Sequence, residues 1–144
     1  VAARNTARKR AFQILFEGDQ RGVDVLTVLA DWIRHSRTDT RQPPVSEYTM
    51  QLVEGYATKV QRIDELIATY AVDWTLDRMP VVDRNILRLG AYELIWVDET
   101  PDAVVLDEAV QLAKEFSTDE SPSFVNGLLG RLKDLKPSLR RDDV

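Results

Sequence analysis

The sequence predicts an all-α bundle of about six or seven helices. Three observations carry that reading. Apolar residues recur at three- and four-residue spacing along the chain, β-branched residues sit inside those helical periods, and the interruptions fall at proline, glycine and capping residues. At 144 residues and 44% hydrophobic, the chain suits one globular domain over 1–144. A flexible basic arm over residues 1–5 and a charged tail over 137–144 are expected to flank it.

The first helix is read over 6–18, with Thr6 as its N-cap and Gly18 or Gly22 as its stop. Ala7, Ala11, Ile14, Leu15 and Gly18 fall on one stripe, while Lys9, Phe12, Gln13 and Phe16 project away from it. Those two phenylalanines either pack under a neighbouring helix or form an aromatic–basic surface able to stack unpaired bases. Packing is favoured for Phe12; Phe16 fits both readings equally. A second helix spans 24–35, started by Asp24 and ending at His35, whose imidazole can meet free carbonyls. Residues 36–45, polar and carrying Pro43-Pro44, are the clearest loop.

Residues 46–70 read as one long helix capped by Ser46, with Met50, Val53, Ala57, Val60, Ile63, Ile67 and Tyr70 in period. Gly55 inside it marks a close crossing or a slight bend. After a short connection, Pro80 opens residues 81–96, where ten of sixteen positions are apolar and surround the axis. Such a helix is central, and its charges belong near an end or at an interface. Residues 102–117 are amphipathic, with Val105, Leu106, Ala109, Leu112, Ala113 and Phe116 on one side. Ser121-Pro122 signals the last helix as cap and first helical residue. Its stripe is Val125, Leu128, Leu129 and Leu132, with Phe124 at the edge, and Pro137 is expected to end the fold.

Composition excludes most chemistry. The chain has no cysteine and one histidine, so thiolate sites, disulfides and histidine-centred catalysis are poor prospects. Isolated glycines make no phosphate loop, and adjacent acids such as Asp107–Glu108 sit on a solvated face. No apolar run approaches a membrane span. The expectation is a cytoplasmic, non-enzymatic binding protein without cofactor, metal or membrane contact.

Charge supplies the functional clue. The net charge is −5, yet residues 1–16 contain Arg4, Arg8, Lys9 and Arg10 and no acid, leaving 15 bases and 24 acids in the other 128 residues. A basic leading segment on an acidic remainder implies two surfaces with different partners, the first suited to phosphate.

The blocks WTLDRMPVVDRNILRLGAYEL (74–94) and DEAVQLAKEFSTDESPSFVNGLLG (107–130), with ARKRAFQILFE (7–17), closely resemble the NusB family of bacterial transcription antitermination factors, and an actinobacterial member in particular. The resemblance implies a compact all-helical RNA-binding protein that pairs with NusE, a small-subunit ribosomal protein. Together they would bind the boxA element of nascent rRNA and join the RNA polymerase antitermination complex. It assigns RNA contact to Arg4, Arg8, Lys9 and Arg10, to Phe16 where some members carry tyrosine, and to Phe124 of the F-V-N-G motif. It assigns NusE contact to Asp83 at the head of the central helix and to Glu120. Two departures stand out: Asn5 and Thr6 interrupt the basic run, and Phe16 lacks a hydroxyl. Self-association is left open, since the family includes monomers and dimers, so a homodimer is one expectation. The alternatives are the RNA-anchoring domain of an rRNA cytosine methyltransferase and a protein-only helical adaptor.

Overall fold

The computed structural model describes the backbone of residues 2–72 and 74–142 and the side chains of 4–72 and 74–139. Among them are seven α-helices, one 3-10 turn and no strand, so the all-α expectation is borne out. The chain forms two compact units, 1–58 and 59–144.

The first unit contains α1 (Ala2–Arg21), α2 (Val25–Thr38) and α3 (Glu47–Ala57), each packed on the other two. Ala7, Ala11, Ile14 and Leu15 of α1 are buried, as are Val28 and Leu29 of α2 and Leu52, Val53 and Tyr56 of α3. The expected start at Thr6 is corrected: the backbone is already helical from Ala2, so Arg4 and Asn5 belong to the body of α1. Two alanines at its start, the best helix formers, explain the extension. Val1, the remainder of the expected arm, lies outside the described residues. After Arg21, Gly22 takes φ +67°, where a side chain would be strained. Asp24 then caps α2 by accepting from the Leu26 N–H at 2.7 Å.

The long helix read over 46–70 is also corrected, because it is two helices. α3 ends at Ala57, and α4 spans Val60–Tyr70. The Gly55 carbonyl accepts both the Thr58 N–H at 3.1 Å and the Thr58 hydroxyl at 2.7 Å. A continuous helix would need that carbonyl for the N–H of residue 59. The apolar period runs through the break, which is why spacing alone does not reveal it.

In the second unit α4 is followed by the 3-10 turn Leu76–Arg78, then α5 (Val81–Trp96), α6 (Asp102–Phe116) and α7 (Ser121–Asp142). α5 packs against α4, α6 and α7, as its all-round apolar character requires. Ile86, Leu87, Leu89, Ala91, Leu94 and Ile95 are buried, and a Cβ added at Gly90 would lie 2.8 Å from Leu129 Cδ1. Gly90 therefore permits the close approach of α5 and α7. Arg88 makes a two-pronged pair with Asp64 of α4, at 2.9 and 3.1 Å.

The expected end at Pro137 does not hold. α7 continues through it to Asp142. Proline removes one N–H and costs about 3 kcal/mol in a helix interior. Here the carbonyl it strands belongs to exposed Lys133, within reach of water, while buried Leu139 and a 2.9 Å Lys136–Asp102 ion pair hold the turns on either side.

Candidate functional site

Two groups of residues stand apart from the core by their charge and ring content, one in each unit.

The first lies on α1. Arg4 and Arg8, one helical turn apart, share a face, and both approach the ring of Tyr48 in the first turn of α3. Their guanidinium carbons stand 4.5 and 5.7 Å from its centroid. Arg8 is only 4% exposed, whereas Arg4, Lys9 and Arg10 are half-buried with part of each side chain at the surface. Arg10 points elsewhere. It donates to the carbonyls of Pro44 at 2.8 Å and Pro43 at 3.3 Å and lies 5.3 Å over the Trp32 ring. Burial lowers its pKa from the ordinary arginine value, but a guanidinium so placed stays charged at neutral pH. Phe12 is buried, in line with the packing reading, and Phe16 is half-buried with its ring 6.1 Å from that of Phe12.

The second is a cleft of about 460 Å³ lined by Trp74, Pro80, Asp83, Thr118, Asp119, Glu120, Ser121 and Phe124. It brings Asp83 together with Glu120 and Phe124, which lie far from it in sequence. Glu120 and Asp119 are exposed, Phe124 is half-buried, and the indole of Trp74 is 45% exposed. Asp83 is different: it is 3% exposed and spends both oxygens internally. Ser117 donates its hydroxyl to Oδ1, and Ser121 donates to Oδ2 at 2.8 Å. Thr118 Oγ1, 2.9 Å from Ser121 Oγ, is then free to donate to it. Ser121 is thus drawn from the capping role its position suggests into anchoring a buried carboxylate. That carboxylate lies in the first turn of α5 and beside the start of α7, where helix dipoles favour negative charge.

Among the described residues, no cation lines this cleft. Its chemistry is acidic and aromatic, opposite in sign to the α1 cluster. Sequence reasoning missed Tyr48, Trp32 and Trp74. The last stands at the head of one of the distinctive sequence blocks, and Tyr48 follows a capping serine, but neither position by itself marks a ring as cation-bearing. Among the described residues, no group of three or more histidines or acids is arranged to hold a metal ion, and no helix is long and apolar enough to cross a membrane.

These features define an all-helical protein with a cationic helix and an acidic aromatic cleft. The chain belongs to the NusB family, whose model matches residues 5–134. It is similar to the transcription antitermination protein NusB of Streptomyces avermitilis, with 91% identity over 144 residues and full coverage of both chains. The protein of that name from Thermobifida fusca is 57% identical over 137 residues, covering 95% of this chain and 93% of the relative. The actinobacterial affinity is borne out. Among solved structures, Thermotoga maritima NusB matches with a TM-score of 0.80 and 31% identity, covering 96% of each chain. A chain in the crystal structure of antitermination factors NusB and NusE in complex with dsRNA matches with a TM-score of 0.79 and 28% identity, covering 93% of this chain and 98% of that one.

Proposed function

We propose that the chain is an RNA-binding transcription antitermination factor that acts with NusE, binds boxA of nascent rRNA, and joins the antitermination complex on RNA polymerase. The observation that carries this reading is the segregation of charge. Arg4, Arg8, Lys9 and Arg10 all belong to α1, while the cleft of the second unit carries acids and rings and, among the described residues, no base. Similarity to a chain solved with NusE and RNA supports the same assignment.

In this reading Arg4, Lys9 and Arg10 contact phosphates directly, and Arg8, buried beside Tyr48, contributes field and position. Phe16 and Phe124 offer ring surface to unpaired bases, each stacked base adding about 1–3 kcal/mol. Three to four phosphate contacts on a single strand give a log–log salt slope of roughly −2 to −3. That affinity is modest, so a second protein adding its own contacts would sharpen it. Glu120 at the open rim of the cleft meets the basic partner, and Asp83 holds the floor beneath it.

The test is binding of a boxA oligonucleotide with and without NusE, beside a scrambled oligonucleotide. A NusE-dependent gain specific to boxA is expected. Equal binding of both oligonucleotides, or no gain with NusE, overturns the reading.

A further inference from the structure

We propose that Tyr48 is a positioning residue of the RNA interface, its ring holding the Arg4 guanidinium in the register in which it meets phosphate, with the buried Arg8 guanidinium seated on the same ring. This rests on the RNA-binding reading above. One ring serves two cations of the same helix, at 4.5 and 5.7 Å, so the two charges are referenced to a single rigid object. A guanidinium lying on a ring is held by its face and keeps its N–H donors at the edge, where phosphate oxygens are bound.

The backbone turn that carries the ring is anchored. Ser46 caps α3 by accepting the Thr49 N–H at 3.2 Å, and the buried Thr49 hydroxyl donates to the Ala7 carbonyl at 3.0 Å. Ala7 lies between Arg4 and Arg8 on α1, and Thr49 is the neighbour of Tyr48. A backbone-anchored bond thus sets the first turn of α3 against the turn of α1 that bears the cations. An arginine held this way loses less freedom on binding than one sweeping through solvent, so its contact with RNA gains affinity.

The test uses the full chain with NusE and a boxA oligonucleotide. Tyr48→Phe keeps the ring and is expected to bind within about twofold of wild type; Tyr48→Leu keeps apolar bulk without the ring and is expected to bind about tenfold more weakly. NusE affinity should stay the same in both. In an Arg4→Ala background the Tyr48→Leu loss should shrink clearly, because one of the two cations it serves is gone. Replacing Tyr48 with pentafluorophenylalanine reverses the ring's electrostatic face at almost constant shape, and should reproduce the leucine loss even if the leucine variant folds poorly. Wild-type affinity in the leucine and fluorinated variants overturns the proposal alone. So does a leucine loss of equal size with and without Arg4, which would point to base stacking or to the fold. Failure of the wild-type protein to bind boxA RNA with NusE overturns the underlying reading as well.

Discussion

Ser121 donates its hydroxyl to Asp83 Oδ2 at 2.8 Å, fastening the first turn of α7 to the first turn of α5. With Ser117 on the other oxygen, the carboxylate is a buried joint between elements that begin 40 residues apart. Asp83→Ala would leave two hydroxyls without their acceptor, and is expected to cost about 1–3 kcal/mol in urea denaturation. Glu120→Lys, on the exposed rim of the same cleft, should leave the denaturation midpoint in place and weaken NusE binding in calorimetry. Were Asp83→Ala as stable as wild type, the joint would carry no weight.

The α1 cations should separate by what each touches. Arg4→Ala combined with Lys9→Ala is expected to flatten the salt dependence of RNA binding by roughly 0.7 per removed contact while NusE association persists. Arg8→Ala should instead lower the melting temperature, because the residue is 4% exposed. An Arg8→Ala protein that melts like wild type would return Arg8 to the surface group.

Glycine substitutions give a paired control on packing. Gly90→Ala places a methyl 2.8 Å from Leu129 Cδ1, and Leu129 is itself fully buried, so the clash should outweigh the gain in helix propensity and destabilise by about 1–3 kcal/mol. Gly127→Ala, with nothing within 4 Å of the added carbon, should instead stabilise by up to ~1 kcal/mol. Thermal melts of both variants check the sign of each.

Acid should act through Asp77. A hydrogen bond with Thr75 leads the causes that lower its pKa below the ordinary 3.8. A carboxylate with a depressed folded pKa contributes stability above its unfolded pKa and loses it as pH falls through the folded value. Asp77→Asn is therefore expected to melt slightly below wild type at neutral pH, with the gap closing progressively below about pH 4. A gap unchanged at low pH would assign the effect to something other than ionisation. The side chain is fully exposed, so the difference will be small.

Much of the fold was legible because periodicity reports burial directly. The stripes of α1, α5, α6 and α7 are the ones buried, and the all-round apolar α5 packs against three other helices. What periodicity cannot report is a break that preserves phase. The Thr58 donors close α3 on the Gly55 carbonyl while Val60 and Ile63 continue the apolar rhythm. Nor does a residue type fix its fate alone. Pro137 normally stops a helix, but Leu139 beyond it is buried and the helix persists; Thr6 caps well, but two preceding alanines extend the helix past it.

The candidate sites were legible in their charge and less so in their partners. Arg8 reads as a surface cation because arginine is rarely so buried. Its burial beside Tyr48 depends on a contact 40 residues away, which no local pattern encodes. Asp83 likewise reads as an exposed acid at a helix head, and only the return of Ser117 and Ser121 turns it inward.

The paired prolines between α2 and α3 offer their carbonyls to Arg10, so one member of the cationic set takes its orientation from a segment outside α1. The length of that connection is consequently a dial. Insertions or deletions there would re-aim the Arg10 guanidinium without altering a single residue of α1.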